Sequence, residues 1–262
     1  MDGRIVRALR KQTVLPMNRL RKIRIHIDQP LNSGDEITLP QQAASHVARV
    51  LRLRAGDPIV LFNGDGNDYA AELTSVVREV RARVLDASAA GNESPLCITL
   101  AQALARGEKM DWIVQKATEL GAIEIVPLIT ERSEVKLDGS RAEKRAEHWR
   151  SVAISACEQS GRARVPAVAA PQPLSAWLAS TSSSNATKLA LLPEGAFTPR
   201  ELACVENEIV IVVGPEGGFG ETDIAALRAA DFHGLALGPR VLRTETAGVV
   251  AIAALQALYG DW

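Results

Sequence analysis

Cysteine is scarce in this chain. Cys97, Cys157 and Cys204 are odd in number, far apart and without metal-ligand spacing, which argues against a disulfide framework and against a zinc site. No metal is expected. No apolar stretch approaches the roughly 20 residues that span a bilayer, and the N-terminus lacks the apolar core of a secretory signal. A cytoplasmic protein without a membrane partner is therefore expected. Charge of one sign is not in excess either: 30 Lys and Arg face 31 Asp and Glu, and with 47% hydrophobic residues the balance is that of an ordinary globular protein. Composition alone names no function.

The balance conceals an asymmetry. Residues 1–90 hold 14 basic and 10 acidic side chains, whereas the remainder holds 16 and 21. The bias is sharpest in the first 24 residues, where Arg4, Arg7, Arg10, Lys11, Arg19, Arg21, Lys22 and Arg24 face only Asp2. Such a stretch reads equally as a solvated tail or as an arm for RNA.

At 262 residues the chain has room for two domains or one large α/β domain. From Ile23 to Asp86 the pattern is of short strands, with alternation in Ile23 to Ile27, Asp68 to Val76 and Arg81 to Leu85, and one helix over Gln41 to Leu53. That spacing predicts a small, mostly β, barrel-like domain. Ala87 to Pro95 has the small, polar composition of a linker, and the domain boundary is placed there. Beyond it strands and helices alternate. Strands are predicted at 96–104, 123–129, near Val165, at 188–192, 209–213 and 235–237, with helices at 108–120, 141–159, 221–230 and from Thr244, read as an N-cap, to the end. The Ser180 to Ser184 run reads as a surface loop. This order predicts a mainly parallel sheet covered by helices.

Three strand ends draw attention. Ile209 to Val213 leads into Gly214-Pro215-Glu216-Gly217-Gly218-Phe219, and Leu237-Gly238-Pro239 leads through Arg240 and Arg243 into the last helix. Leu191-Leu192-Pro193-Glu194-Gly195 is the third. Ligands of open α/β sheets bind beyond the carboxyl ends of strands, and glycines admit a ligand close to backbone N–H groups. Any one of these turns by itself is more often just a turn; together they predict a crevice for a nucleoside-sized ligand. Neither the P-loop nor the Rossmann glycine spacing is present. Two arginines beside a glycine turn suit an anionic or electron-rich group. Cys157 to Arg162 closes a helix with polar side chains and a glycine suited to a C-terminal cap, which helix termination alone would explain, and Arg132 and Lys136 read equally as solvated charge and as phosphate contacts.

The chain resembles the RsmE family of SPOUT-class methyltransferases, which act on a uridine N3 of small-subunit ribosomal RNA. The resemblance rests on GEKMDWIVQKATELGA (107–122), ERSEVKLD (131–138), ACEQSGR (156–162), GPEGGF (214–219) and LGPRVLRTETA (237–247), together with His46 followed by Arg49-Val50-Leu51-Arg52. It runs from about Arg19 to the C-terminus and implies a PUA-like RNA-binding β domain over 19–88 and a SPOUT domain with a deep trefoil knot over 89–262, while the basic extension over 1–18 has no counterpart in it. It also implies S-adenosyl-L-methionine as cofactor, 16S rRNA of the assembled small subunit as substrate, and a homodimer. Carried over residue by residue, the cofactor pocket comprises Leu191, Pro193, Gly214, Pro215, Glu216, Gly217, Gly218, Leu237, Gly238, Val241, Leu242, Thr246 and Ala247. RNA contacts fall on Arg19, Arg24, His46, Arg49, Arg52, Arg132, Lys136 and Arg162. The chain has Leu192 where the family often has histidine.

Uridine N3 is a poor nucleophile until its proton is lost, so a methylating site must favour the anionic base. Arg243 or Arg240 is expected to stabilise charge on the uracil carbonyl oxygens. Glu216, Glu245 or water is the expected proton acceptor. Two rival readings stand beside this one: a non-catalytic RNA-binding assembly factor, and an enzyme that binds another nucleotide in the same crevice.

Overall fold

The computed structural model describes residues 23–134, 139–181, 185–192, 197–202 and 207–262. Arg19, Lys136, Pro193, Cys204 and the 1–18 extension lie outside these residues. The chain divides into two compact units. One runs through Phe62 and resumes over Asp68–Ser88; the other takes Asn63–Asn67 and Ala89–Trp262.

In the first unit β1 (Arg24–His26), β2 (Glu36–Thr38), β3 (Pro58–Phe62), β4 (Asn67–Ser75) and β5 (Arg81–Ala89) form a sheet of order β1-β3-β4-β5-β2. β1 pairs parallel to β3, while β3 with β4 and β2 with β5 run antiparallel. Its core is aliphatic, built on Ile25, Ile37, Ile59, Leu61, Leu73 and Val84. The helix expected over Gln41 to Leu53 is present but irregular. One short α-helix, α1 (Gln41–Ser45), passes into a π-helical turn at His46–Val50, and Arg52 then takes the left-handed conformation at φ 54. Widening the helix leaves Val47 buried and turns His46, Arg49, Val50 and Arg52 outward.

The second unit contains β6 (Cys97–Ala103), α2 (Lys109–Glu119), β7 (Ala122–Ile129), α3 (Gly139–Ser160), β8 (Ala167–Val168), β9 (Gln172–Pro173), α4 (Leu174–Thr181), β10 (Thr187–Leu191), β11 (Glu208–Val213), α5 (Glu221–Ala229), β12 (His233–Leu235) and α6 (Thr244–Tyr259). The strands follow the order β12-β10-β11-β6-β7-β8, with β9 beside β7, and each described pairing is parallel. Period-two alternation decides the layers. Ile209, Ile211 and Val213 of β11 face a core shared with α2, α3 and α6, while Val210 and Val212 face one shared with α4 and α5. Both faces of the sheet are thus covered, as near-continuous apolar strands require.

Several details depart from the sequence reading. The division between the units falls inside Ala87 to Pro95, but the segment is ordered by its own contacts: β5 runs to Ala89, Ala90 is buried, Asn92 Nδ2 donates to Gly161 O at 2.7 Å, and Ser94 Oγ donates to Gln256 Oε1 at 2.7 Å. Ser180 and Thr181 close α4, both bonding back to Trp177 O, while 182–184 lie outside the described residues. β12 ends at Leu235, so Leu237 belongs to the following loop. Among the described residues no helix is long and apolar enough to cross a membrane, and no cluster of His, Cys, Asp and Glu is arranged to hold a metal ion.

Candidate functional site

The carboxyl ends of β10, β11 and β12 lie on one side of the sheet, because parallel strands share their direction. A cleft opens there. It is lined by Leu191 at the end of β10 and Leu192 just after it, by Leu235 at the end of β12 and residues 236–242 beyond it, and by Ala247 in the first turn of α6. Leu237, Gly238, Val241, Leu242 and Ala247 are therefore brought together with Leu191, as is Arg240. Gly238 has φ +99, a conformation that favours glycine, and nothing lies within 4 Å of where a Cβ would stand. Leu192, at the position where histidine was the family expectation, contributes an apolar wall.

The Gly214–Phe219 loop follows β11 next to this cleft but is not part of its lining. Phe219 folds back beneath it, and a Cβ on Gly214 would stand 3.3 Å from the Phe219 ring. Gly218 turns the chain at φ +69. Arg132 reaches the loop, its Nη1 donating to Gly217 O at 3.0 Å. Asp223 in the first turn of α5 accepts the N–H of Gly220 at 3.1 Å and the N–H of Glu131 at 3.1 Å, fixing the loop's exit.

Thr244 was expected to cap the last helix. Arg243 occupies the N-cap position, its carbonyl accepting the N–H groups of Thr246 and Ala247 at 2.9 Å. The Thr244 hydroxyl instead donates to Gly214 O at 2.6 Å and accepts from Gln102 Nε2 at 2.9 Å. Thus the two glycine-bearing segments are joined directly.

A charged cluster borders both segments. Lys109 Nζ lies 2.9 Å from Glu216 Oε1 and 3.4 Å from Glu245 Oε2, and the Arg106 N–H donates to Glu216 Oε1 at 3.1 Å. A lysine in the first turn of α2 opposes the helix dipole, and the two carboxylates offset this. The hydrogen bond to Glu216 raises the Lys109 pKa against the effect of desolvation, with Glu245 adding to the rise. For Glu216, partial burial pushes upward, yet hydrogen bonds from Lys109, its own backbone N–H and the Arg106 N–H, with the Lys109 charge, outweigh it and hold the carboxyl below its ordinary value. Lys109, Gln102 and Asp223 were not among the sequence-derived site residues. For Lys109 the signal was available: a cation at a helix start needs a reason.

Arg240 and Arg243 are exposed near the cleft. Two of the arginines expected to contact RNA are otherwise committed. Arg162 is 3% exposed, with Nη2 donating to Glu93 Oε2 at 2.7 Å and Nη1 to the carbonyls of Thr118 and Ala122 at 2.8 Å. Arg24 pairs with Asp68 at 2.7 Å under the Phe62 ring, its side chain 6% exposed. Neither guanidinium is presented to a phosphate in this conformation. His46, Arg49 and Arg52 are exposed together on the first unit.

Residues 92–256 match the RNA methyltransferase domain, and residues 39–79 match the RNA methyltransferase PUA domain. The chain is 33% identical over 239 residues to the ribosomal RNA small subunit methyltransferase E of Buchnera aphidicola, covering 91% of this chain and 97% of that one. It is 32% identical over 247 residues to the protein of the same name from Bacillus subtilis, covering 89% and 96%. Among solved structures it resembles the Neisseria gonorrhoeae ribosomal RNA small subunit methyltransferase E bound to S-adenosyl methionine, with TM-score 0.86, 39% identity and coverage of 92% and 99%. A Legionella pneumophila protein solved with bound SAM gives TM-score 0.87, 38% identity and coverage of 92% and 100%. On the domain match and on these full-length likenesses, the chain belongs to the RNA methyltransferase family, among the ribosomal RNA small subunit methyltransferase E proteins.

Proposed function

We propose that this protein methylates N3 of a uridine in 16S rRNA of the small ribosomal subunit, using S-adenosyl-L-methionine held in the cleft beyond β10 and β12. The observation that carries this reading is the cleft's construction. Apolar walls from Leu191, Leu192, Leu237 and Leu242 suit the faces of an adenine ring, and the 235–242 backbone supplies polar groups for its edge. The SAM-bound relatives support the same ligand. When bound, the cofactor supplies an electrophilic methyl group on a cationic sulfonium.

The chain's own residues then have to bind the base and favour its anion. Arg240 and Arg243 are exposed beside the cleft, where their guanidinium groups would stabilise negative charge on the uracil carbonyl oxygens. Glu216 is a poor proton acceptor: Lys109 and two backbone N–H groups stabilise its ionised form. Its proposed role is to orient Lys109 and the loop. Glu245 or water remains to take the N3 proton. Pro215, Gly217, Gly218 and Thr246 complete the proposed cofactor neighbourhood, and His46, Arg49, Arg52 and Arg132 are proposed to meet RNA.

A trefoil knot in the second unit is part of this reading. What supports it is that β12 sits at the sheet edge beside β10, whereas α6 begins next to Gly214 and packs against β11 and β6, so the chain returns across the sheet between them. Exposed Val241, Val250 and Leu258 support a homodimer, and a cytoplasmic location accompanies the substrate. Calorimetry tests the reading: S-adenosylmethionine and S-adenosylhomocysteine should both bind the full chain, whereas absence of binding by both contradicts it.

A further inference from the structure

Gln102 is a glutamine at 0% exposure near the end of β6, flanked by Ala101 and Ala103 and packed against the first turns of α6. Its Nε2 donates to Thr244 Oγ1 at 2.9 Å and to Ala103 O at 3.1 Å, while its Oε1, among the described residues, has no hydrogen-bond partner. The hydrogen-bond pattern fixes the amide's orientation. Because the Thr244 hydroxyl spends its proton on Gly214 O at 2.6 Å, it can only accept from Gln102.

Both side chains are poor choices for local stability. An apolar residue at 102 would fill the strand without stranding a buried acceptor. A threonine one position earlier would cap the helix, whereas Thr244 sits inside it and leaves the N-cap to Arg243. What the two achieve together is a fixed distance between the Gly214 carbonyl and the start of α6. One of those groups opens the 214–219 loop, and the other carries Ala247 of the cleft.

We propose that Gln102 is a positioning residue for cofactor binding: its amide makes the Thr244 hydroxyl a donor to Gly214 and so sets the spacing of the two glycine-bearing segments. The proposal rests on the methyltransferase reading. Gln102 touches no ligand and acts through Thr244. A broken relay leaves each segment intact but lets them move apart, so binding of the cofactor suffers before folding does.

The test uses the full chain and titrates S-adenosylhomocysteine by calorimetry into wild type, Gln102→Leu, Thr244→Val, Thr244→Ser and the Gln102→Leu/Thr244→Val double variant. Each of the two disruptive single variants should weaken binding about tenfold, and the double variant should lose no more than either alone, because one relay is broken once. Thr244→Ser, which keeps the hydroxyl, should remain within about twofold of wild type. In turnover on small subunits the KM for S-adenosylmethionine should rise more than kcat falls, and Gln102→Leu should melt no lower than wild type. If Thr244→Val does not fold, Thr244→Ala carries the same comparison. Wild-type affinity in Gln102→Leu, multiplicative losses in the double variant, or losses that track a lowered melting temperature overturn the proposal alone. A wild type that binds neither S-adenosylmethionine nor S-adenosylhomocysteine overturns it together with the functional reading beneath it.

Discussion

Lys109 Nζ stands 2.9 Å from Glu216 Oε1, joining the start of α2 to the Gly214–Phe219 loop, and the same ammonium lies 3.4 Å from Glu245 in the other glycine-bearing segment. Lys109→Met should therefore loosen both segments. Loss of activity between about 10- and 100-fold is expected, the scale of a small misplacement at a reacting centre. Lys109→Arg should retain most of it. Steady-state kinetics with saturating S-adenosylmethionine checks this; unchanged kinetics in Lys109→Met would remove the cluster from the mechanism.

The same pair fixes a pH window. Glu216 is held below its ordinary value of 4.5, so its ionised form stabilises the fold fully above that value, and the contribution disappears as pH falls through the lowered one. Lys109 is held above 10.5, so its contribution is complete below 10.5 and disappears as pH rises through the raised value. The difference in melting temperature between wild type and Lys109→Met should be flat between these limits and shrink outside them. A difference that peaks near neutrality would assign the effect to another group.

Arg162→Ala should cost about 3 to 5 kcal/mol of stability, since it removes the buried guanidinium that pairs with Glu93 Oε2 and donates to the Thr118 and Ala122 carbonyls. RNA affinity of the folded fraction should not change. Denaturant melts and a filter-binding assay at fixed salt separate the two effects; a large loss of RNA affinity with an unchanged melt would restore Arg162 to the RNA-contacting set.

Arg49→Ala and Arg52→Ala should do the opposite. Both side chains are exposed at the irregular helix of the first unit. Each phosphate contact removed should lower the log–log salt slope of RNA binding by about 0.7 to 0.9, with the melt unchanged. A slope equal to wild type in both variants would move the RNA track elsewhere.

Gly248→Ala tests how closely α6 must approach the sheet. A Cβ there would stand 3.1 Å from Leu100 Cδ1 and 3.3 Å from Val213 Cγ2, both in the core beneath the site. Overpacking of this kind costs about 1 to 3 kcal/mol. A melt as stable as wild type would mean that the helix can lift without penalty.

Much of this was legible in the chain. The alternation of strand and helix after residue 95 predicted the parallel sheet, most plainly at Ile209 to Val213, an unbroken apolar run that ends in a glycine turn. The pairing of GPEGGF with LGPRVLRTETA predicted that two strand ends would lie together, and the Thr244 hydroxyl, donating to Gly214 O, joins them. What stayed hidden depended on direction rather than type. Arg162 follows a helix and reads as part of its termination or as an RNA contact, but Gly161 turns the chain at φ +87 and the guanidinium lies buried. Thr244 reads as a cap, yet its hydroxyl serves a loop 30 residues away in sequence. Short elements with no period to read, such as β8 and β9, were found only vaguely or not at all. α4 was readable in principle from Leu174, Trp177 and Leu178, which share one buried face.

The central claim is the identity of the methylated atom. Small subunits purified from cells lacking the endogenous enzyme, incubated with this protein and S-adenosylmethionine, should acquire one methyl group on 16S rRNA, and nucleoside mass spectrometry should place it on N3 of a uridine. A methyl on carbon, ribose or another base would contradict the uridine N3 assignment, and no methyl transfer at all would contradict the catalytic reading.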